Sequence, residues 1–131
     1  MPSIFTRIVA REIPAHILHE DDDFMAFLDV RPIREGHSLV ITKAEVPDVF
    51  YLPESLLAGL LPFARPVARA IQQVTQATRI GTTVIGLEVP HAHIHLVPID
   101  GLHDLDFRRA RPAAEEELAA TAEHIRAVLA S

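Results

Sequence analysis

Five short runs of this chain are apolar or alternate apolar with polar residues, and apolar positions recur every third or fourth residue in two longer ones. Side chains of an extended strand point alternately to opposite faces, so the short runs read as strands. Ile17 to Glu20 and Phe24 to Val30 form a first hairpin around the turn Asp21-Asp22-Asp23, where aspartates bond locally to the backbone. In the second run Phe24, Ala26, Leu28 and Val30 share one face, and Met25, Phe27 and Asp29 the other. Pro32 and Gly36 punctuate the loop that follows, and His37 to Lys43 reads as a third strand. Arg79 to Leu87 is a fourth, apolar enough to lie centrally, and His91 to Ile99 a fifth.

Helical spacing marks Glu54 to about Gln76, with Leu60, Ala64, Val67, Ile71 and Val74 on one side. Pro62 and Pro66 inside it predict a kink or two consecutive helices. Pro112 to Ala130 is a second helix, with acidic residues Glu115 to Glu117 in its first turn. Phe5 to Arg11 suits a short helical turn that Pro14 stops, and Asp100 to Arg111 a charged loop. These elements predict one α+β domain over residues 1–131, a five-stranded antiparallel meander with its helices on one face.

Composition narrows the function. Hydrophobic residues make up 49% of the 131, enough for one core. A formal net charge of −6 argues against a nucleic-acid partner. The absence of cysteine removes disulfides, thiolate metal sites and cysteine nucleophiles. No run is apolar and long enough for a membrane span or a signal peptide, so a cytoplasmic location is expected.

The chemistry concentrates in His91-Ala92-His93-Ile94-His95. Strand alternation puts His91, His93 and His95 on one face and Ala92, Ile94 and Leu96 on the other, against the core. Neutral imidazole is a good nucleophile toward phosphorus, and neighbouring imidazoles can steady phosphoryl oxygens. Three imidazoles could instead close on one zinc ion. His37 opens a strand after the Pro/Gly loop, and Asp29 ends another beside Phe27 and Val30, where an acid could accept ribose hydroxyls. His16, His19, His103 and His124 read as surface histidines, and Arg108 and Arg109 as solvated charge.

The run His91 to Val97 resembles the His-φ-His-φ-His-φ-φ signature of the HIT (histidine triad) nucleotide hydrolases and transferases. Ile4-Phe5, Ile8 to Ala15, Glu20-Asp21-Asp22, Ala26 to Asp29, Pro32, Gly36-His37 and Leu39 to Lys43 extend the resemblance, which covers roughly residues 3 to 99. It implies a homodimer that binds a purine nucleotide or nucleotide conjugate and attacks the α-phosphorus of that nucleotide with a histidine, without metal or cofactor. His93 would be the nucleophile, oriented by His91, whose backbone carbonyl could fix the His93 tautomer. His95 and His37 would hold phosphate oxygens and the leaving group, and Asp29 the ribose. Phe5, Ile8, Ile13, Phe27, Leu28 and Val30 would line the base pocket.

The chain departs from that pattern in three places. Many bacterial relatives hold a structural zinc through two cysteines, a histidine and the first triad histidine; Ser3, Thr6 and Glu45 stand at the first three positions. The zinc site therefore reads as lost. Leu87 and Glu88 replace a common Gln and Ser or Glu pair, and Leu87 has no donor for a phosphate bridge. Thr82 and Thr83 stand where an Asn is usual. Leu87 and Glu88 tilt the expected substrate toward phosphoramidates or acyl-nucleotides and away from dinucleoside polyphosphates. Leu87 and the missing Asn also admit a nucleotide-binding regulatory protein with little turnover.

Overall fold

A computed structural model describes residues 1–131. It contains α1 (Ile4–Val9), β1 (Ile17–Glu20), β2 (Phe24–Leu28), β3 (Ser38–Thr42), α2 (Glu54–Thr75), β4 (Arg79–Thr83), β5 (His93–Ile99) and α3 (Glu115–Ala130). The five strands form one antiparallel sheet in the order β1-β2-β3-β5-β4. The first three strands meander as expected, but β5 then inserts between β3 and β4. The histidine strand is thus central. The fourth strand, expected there, lies at the edge and is partly exposed. Its apolar extension Val84, Ile85 and Leu87 runs past the sheet into exposed positions.

The sheet is covered on both faces. Ala26, Leu28, Val40, Ala92, Ile94 and Leu96 pack against Leu60, Ala64, Val67 and Ile71 of α2 and Leu118, Ala122 and Ile125 of α3. The opposite face carries a smaller cluster in which Phe5 and Ile8 of α1 pack on Met25, Phe27, Leu39 and Ile41. That is why β2 and β3 are buried along their whole length. The expectation that all helices share one face holds for α2 and α3 and fails for α1.

Pro62 and Pro66 sit inside one continuous helix rather than between two. Each removes an N–H donor, freeing the carbonyls of Ala58 and Pro62. Both of those residues lie on the exposed side of the helix, where solvent can supply the missing donors. The helix ends at Gln76, which takes a left-handed conformation at φ 59°. No helix is long and apolar enough to cross a membrane.

Gly36 deserves its place before His37. Its φ of +96° disfavours a side chain, and an added Cβ would lie 2.9 Å from Thr75 Cγ2 and 3.1 Å from Ile71 Cγ2. Gly36→Ala should lower unfolding free energy by about 1–3 kcal/mol, measured by urea titration, through strain of the backbone and contact with α2.

Candidate active site

The three triad rings lie on the α1 side of the sheet, as alternation requires. Phe5 meets His91 and His93 edge-on, with ring centroids 5.7 Å and 5.0 Å away, and His93 and His95 are 5.4 Å apart. His91 precedes β5 and is fully buried. Its carbonyl oxygen accepts a hydrogen bond from His93 Nδ1 at 2.6 Å. A carbonyl only accepts, so His93 Nδ1 carries the ring proton and Nε2 holds a bare lone pair. Every buried side-chain nitrogen or oxygen has a partner, and His93 Nε2 has none, so that atom is open to solvent.

A second chain of bonds sets His95. The amide of Ile33 donates to His37 Nδ1 at 3.0 Å. His37 Nε2 must then hold the proton, which it donates to His95 Nδ1 at 3.0 Å. His95 is left with an N–H at Nε2, again unpartnered and open. Burial pushes both His37 and His95 down to about 4. Both are neutral at pH 7, so His95 offers a hydrogen bond rather than a proton. His37 itself is almost wholly buried, with both nitrogens engaged. The expectation that it grips phosphate directly fails for that reason; its reach into the site runs through His95.

Asp29 follows β2. One oxygen accepts from the Arg31 amide at 2.9 Å, and the other lies 3.6 Å from His37 Nε2. Burial raises its pKa. Asp29, His37 and His95 place ligand atoms within 4.8 Å of one another. They do not fit a metal ion well. A ligating histidine normally donates from its second nitrogen, whereas His37 Nδ1 accepts, leaving no lone pair at Nε2.

His93, His95 and Asp29 open onto a cleft of about 580 Å³. Phe5, Ile8, Ile13, Phe27, Leu28 and Val30, the six residues expected to form an apolar wall, all line it. His91 and His37 lie behind it. Leu87 and Glu88 stand at its rim, and Arg31 is the one basic residue in its lining.

Phe107 is a site residue that pattern reading missed. It belongs to the expected charged loop, which folds as two short 3-10 turns at Leu102–Leu105 and Phe107–Arg109. The buried Asp104 carboxylate organises that loop. It accepts from the amides of Asp100 and Gly101 at 2.8 Å and 3.2 Å and pairs with Arg34 and Arg109. The result sets the Phe107 ring edge-on to His95 and His37, at 4.8 Å and 5.8 Å. The only sequence signal was an aromatic residue in an otherwise charged segment. Arg108 and Arg109 are occupied by Asp106 and Asp104. Of the other histidines, His19, His103 and His124 are exposed, while half-buried His16 pairs with Glu115.

A bare imidazole nitrogen and a neutral N–H donor stand side by side in an apolar cleft, an arrangement able to attack an electrophilic centre and steady its oxygen. The HIT domain matches residues 10–102. The chain belongs to the HIT family. Adenosine 5'-monophosphoramidase HNT1 of Saccharomyces cerevisiae is 34% identical over 96 residues, spanning 72% of this chain and 61% of the yeast protein. Adenylylsulfatase HINT3 of Arabidopsis thaliana is 31% identical over 100 residues, 72% of this chain and 51% of the plant protein. Among solved structures, a Hit-like protein from Bartonella henselae superposes with a TM-score of 0.84 at 28% identity, covering 96% of this chain and 95% of that one. A histidine triad protein from Mycobacterium smegmatis, described as zinc-bound, gives 0.83 at 29% identity, covering 97% and 92%.

The neutral imidazoles make stability depend on pH. Unfolded histidine titrates near 6.5. His37 and His95 titrate at about 4 in the fold, and burial lowers His91 too. Between those values the unfolded chain binds more protons, so stability rises with pH. The urea midpoint should be flat above about pH 7 and fall as pH drops from about 6.5 toward 4. His37→Asn should flatten part of that slope; an unchanged slope would show that His37 is not a buried neutral ring.

Proposed function

We propose that this protein is a nucleotide hydrolase or transferase that cleaves at the α-phosphate of a nucleoside phosphoramidate or a related nucleotide conjugate. The observation that carries the reading is the His91 carbonyl on His93 Nδ1, which leaves Nε2 as an unprotonated nucleophile facing the cleft. That lone pair forms a bond to the α-phosphorus while the bond to the leaving amine breaks. The amine leaves with a proton taken from solvent or brought by the substrate, because neutral His95 has none to spare. Water then attacks phosphorus, His93 leaves, and the nucleoside monophosphate is released. An acceptor other than water makes the same enzyme a transferase.

His95 Nε2–H donates to a phosphoryl oxygen, where a placed dipole stabilises growing charge. His37 fixes the direction of that donor. Asp29 takes the ribose hydroxyls, and the apolar wall takes the base. The named activities of the yeast and plant relatives, a phosphoramidase and an adenylylsulfatase, support an adenylyl substrate. The cleft lining supports a leaving group of low charge: Leu87 offers no donor, Glu88 repels anions, and Arg31 is the only cation. A dinucleoside polyphosphate would meet little to neutralise it.

A homodimer forms part of this reading. The exposed edge strand β4 and the exposed Val84 and Ile85 beside it supply an unpaired border and apolar area for a second copy.

The test is direct. Wild-type protein incubated with adenosine 5'-phosphoramidate should release AMP with multiple turnovers, and His93→Ala should lose at least about a thousandfold of that rate. Rapid quenching followed by peptide mass spectrometry should find adenylate on His93. Normal turnover by His93→Ala would remove the assignment, and tight AMP binding without turnover by the wild type would favour a regulatory nucleotide-binding protein.

A further inference from the structure

One polar cluster lies outside the cleft and takes no part in the chemistry above. Glu45 follows β3, and its Oε1 accepts from the Ser3 amide at 2.7 Å and from the Thr6 hydroxyl at 2.6 Å. Ser3 caps α1 by accepting from the Thr6 amide at 3.1 Å. His91 Nε2 meets the Thr42 carbonyl at 2.6 Å, so Nε2 carries the proton and Nδ1 is an acceptor. Ser3 Oγ donates to that Nδ1 at 2.6 Å. The His91 ring is therefore held at both nitrogens, and its own carbonyl holds His93.

We propose that Glu45, Ser3 and Thr6 form a metal-free clasp of positioning residues that fixes His91 and, through the His91 carbonyl, aims the nucleophilic nitrogen of His93. The kinetic part of this inference rests on the function proposed above; the structural part does not.

Three features argue that the clasp does more than hold an end of the chain. First, α1 has six residues, too few to be stable alone, so its placement depends on what ties it down. Second, the same helix carries Phe5, whose ring lies against both His91 and His93. Displacing α1 therefore disturbs the nucleophile from two directions. Third, Glu45 and Thr42 belong to one segment, so the carboxylate that anchors Ser3 and the carbonyl that anchors His91 move together.

The same residues do not fit a zinc ion, although a structural relative is described as zinc-bound. Zinc needs converging lone pairs from thiolates, neutral imidazoles or carboxylates. Here the Ser3 hydroxyl aims its proton at His91 Nδ1, and one Glu45 oxygen already takes two protons. Donors meet acceptors throughout, which leaves the cluster complete without a cation. The Ser3 amide also holds the Glu45 carboxyl below the usual carboxylate range, keeping it an acceptor.

The experiment joins imidazole NMR with kinetics. Two-bond proton–nitrogen spectra report which ring nitrogen bears the proton. Wild type should show His91 protonated at Nε2 and His93 at Nδ1. In Ser3→Ala and Glu45→Ala the Thr42 carbonyl keeps the proton on His91 Nε2, but the His91 Nδ1 resonance should shift as the Ser3 hydroxyl is lost or displaced. With adenosine phosphoramidate, kcat should fall about tenfold while KM stays within about twofold, the signature of a misaimed nucleophile. Glu45→Gln, which keeps an acceptor oxygen, should restore most of both. Unmoved His91 and His93 signals in Glu45→Ala overturn the proposal, as does a Glu45→Gln no better than Glu45→Ala. Should Glu45→Ala fail to fold, Ser3→Ala carries the same test with the carboxylate in place. One equivalent of zinc should change neither spectra nor rate, and a chelator-reversible change in the His91 signals would also overturn it. A wild type inactive on this substrate whose spectra respond as expected sinks the hydrolase reading and leaves the clasp standing; an active enzyme with unmoved spectra does the reverse.

Discussion

The hydrogen bond from His93 Nδ1 to the His91 carbonyl is the constraint on which the rest of this site depends. A neutral imidazole has one proton and two nitrogens, and only the nitrogen without the proton can attack phosphorus. In water the two tautomers interchange freely. A backbone carbonyl removes that freedom because it can never donate. The arrangement is inexpensive in sequence terms, since donor and acceptor stand two residues apart on one strand. It is demanding in structural terms, since the carbonyl must be turned toward its own neighbour's ring. The backbone around residue 91 is accordingly tied down, with Ala92 donating to the Val46 carbonyl at 2.7 Å and His91 to the Val89 carbonyl at 2.8 Å.

The same logic governs His95, by a longer route. There the fixed point is the Ile33 amide, which can only donate, and the instruction passes through His37. One backbone acceptor and one backbone donor thus assign opposite tautomers to two rings two residues apart. The result is a bare nitrogen beside an N–H, a pair suited to attack at phosphorus and stabilisation of its oxygen. Burial keeps His37 and His95 uncharged near neutral pH, so these two rings present dipoles rather than cations. Dipoles suit a substrate whose departing group brings little negative charge. The rim residues Leu87 and Glu88 add no positive field to change that balance.

Much of this was legible in the chain because period-two alternation is a strong signal. It placed the triad on one face and the core residues Ala92, Ile94 and Leu96 on the other, while the resemblance to the HIT family supplied the six apolar residues that line the cleft. What failed was longer in range. Strand order depends on which segments meet across the sheet, so the central place of β5 and the edge place of β4 could not be read from local pattern. The role of His37 was misjudged for a similar reason. A histidine after a loop can face a ligand or lie beneath one, and only the Ile33 amide and the His95 ring decide it. Phe107 escaped because its position depends on the Asp104 network, whose partners span residues 34 to 109.

The N-terminal departure from the family pattern makes sense in this frame. What the proposed nucleophile would require is an immobile carbonyl at residue 91, and that requirement says nothing about the chemistry used to immobilise it. A metal would fix His91 by coordination. Here a carboxylate, two hydroxyls and a capped six-residue helix hold the same ring through directed hydrogen bonds. The substitution is coherent only because all three positions differ together. A serine in place of one thiolate would leave a zinc set a ligand short, whereas Ser3, Thr6 and Glu45 together satisfy one another and the His91 ring. The sequence at residues 3, 6 and 45 therefore reads as one unit, linked to His93 through the ring and carbonyl of His91.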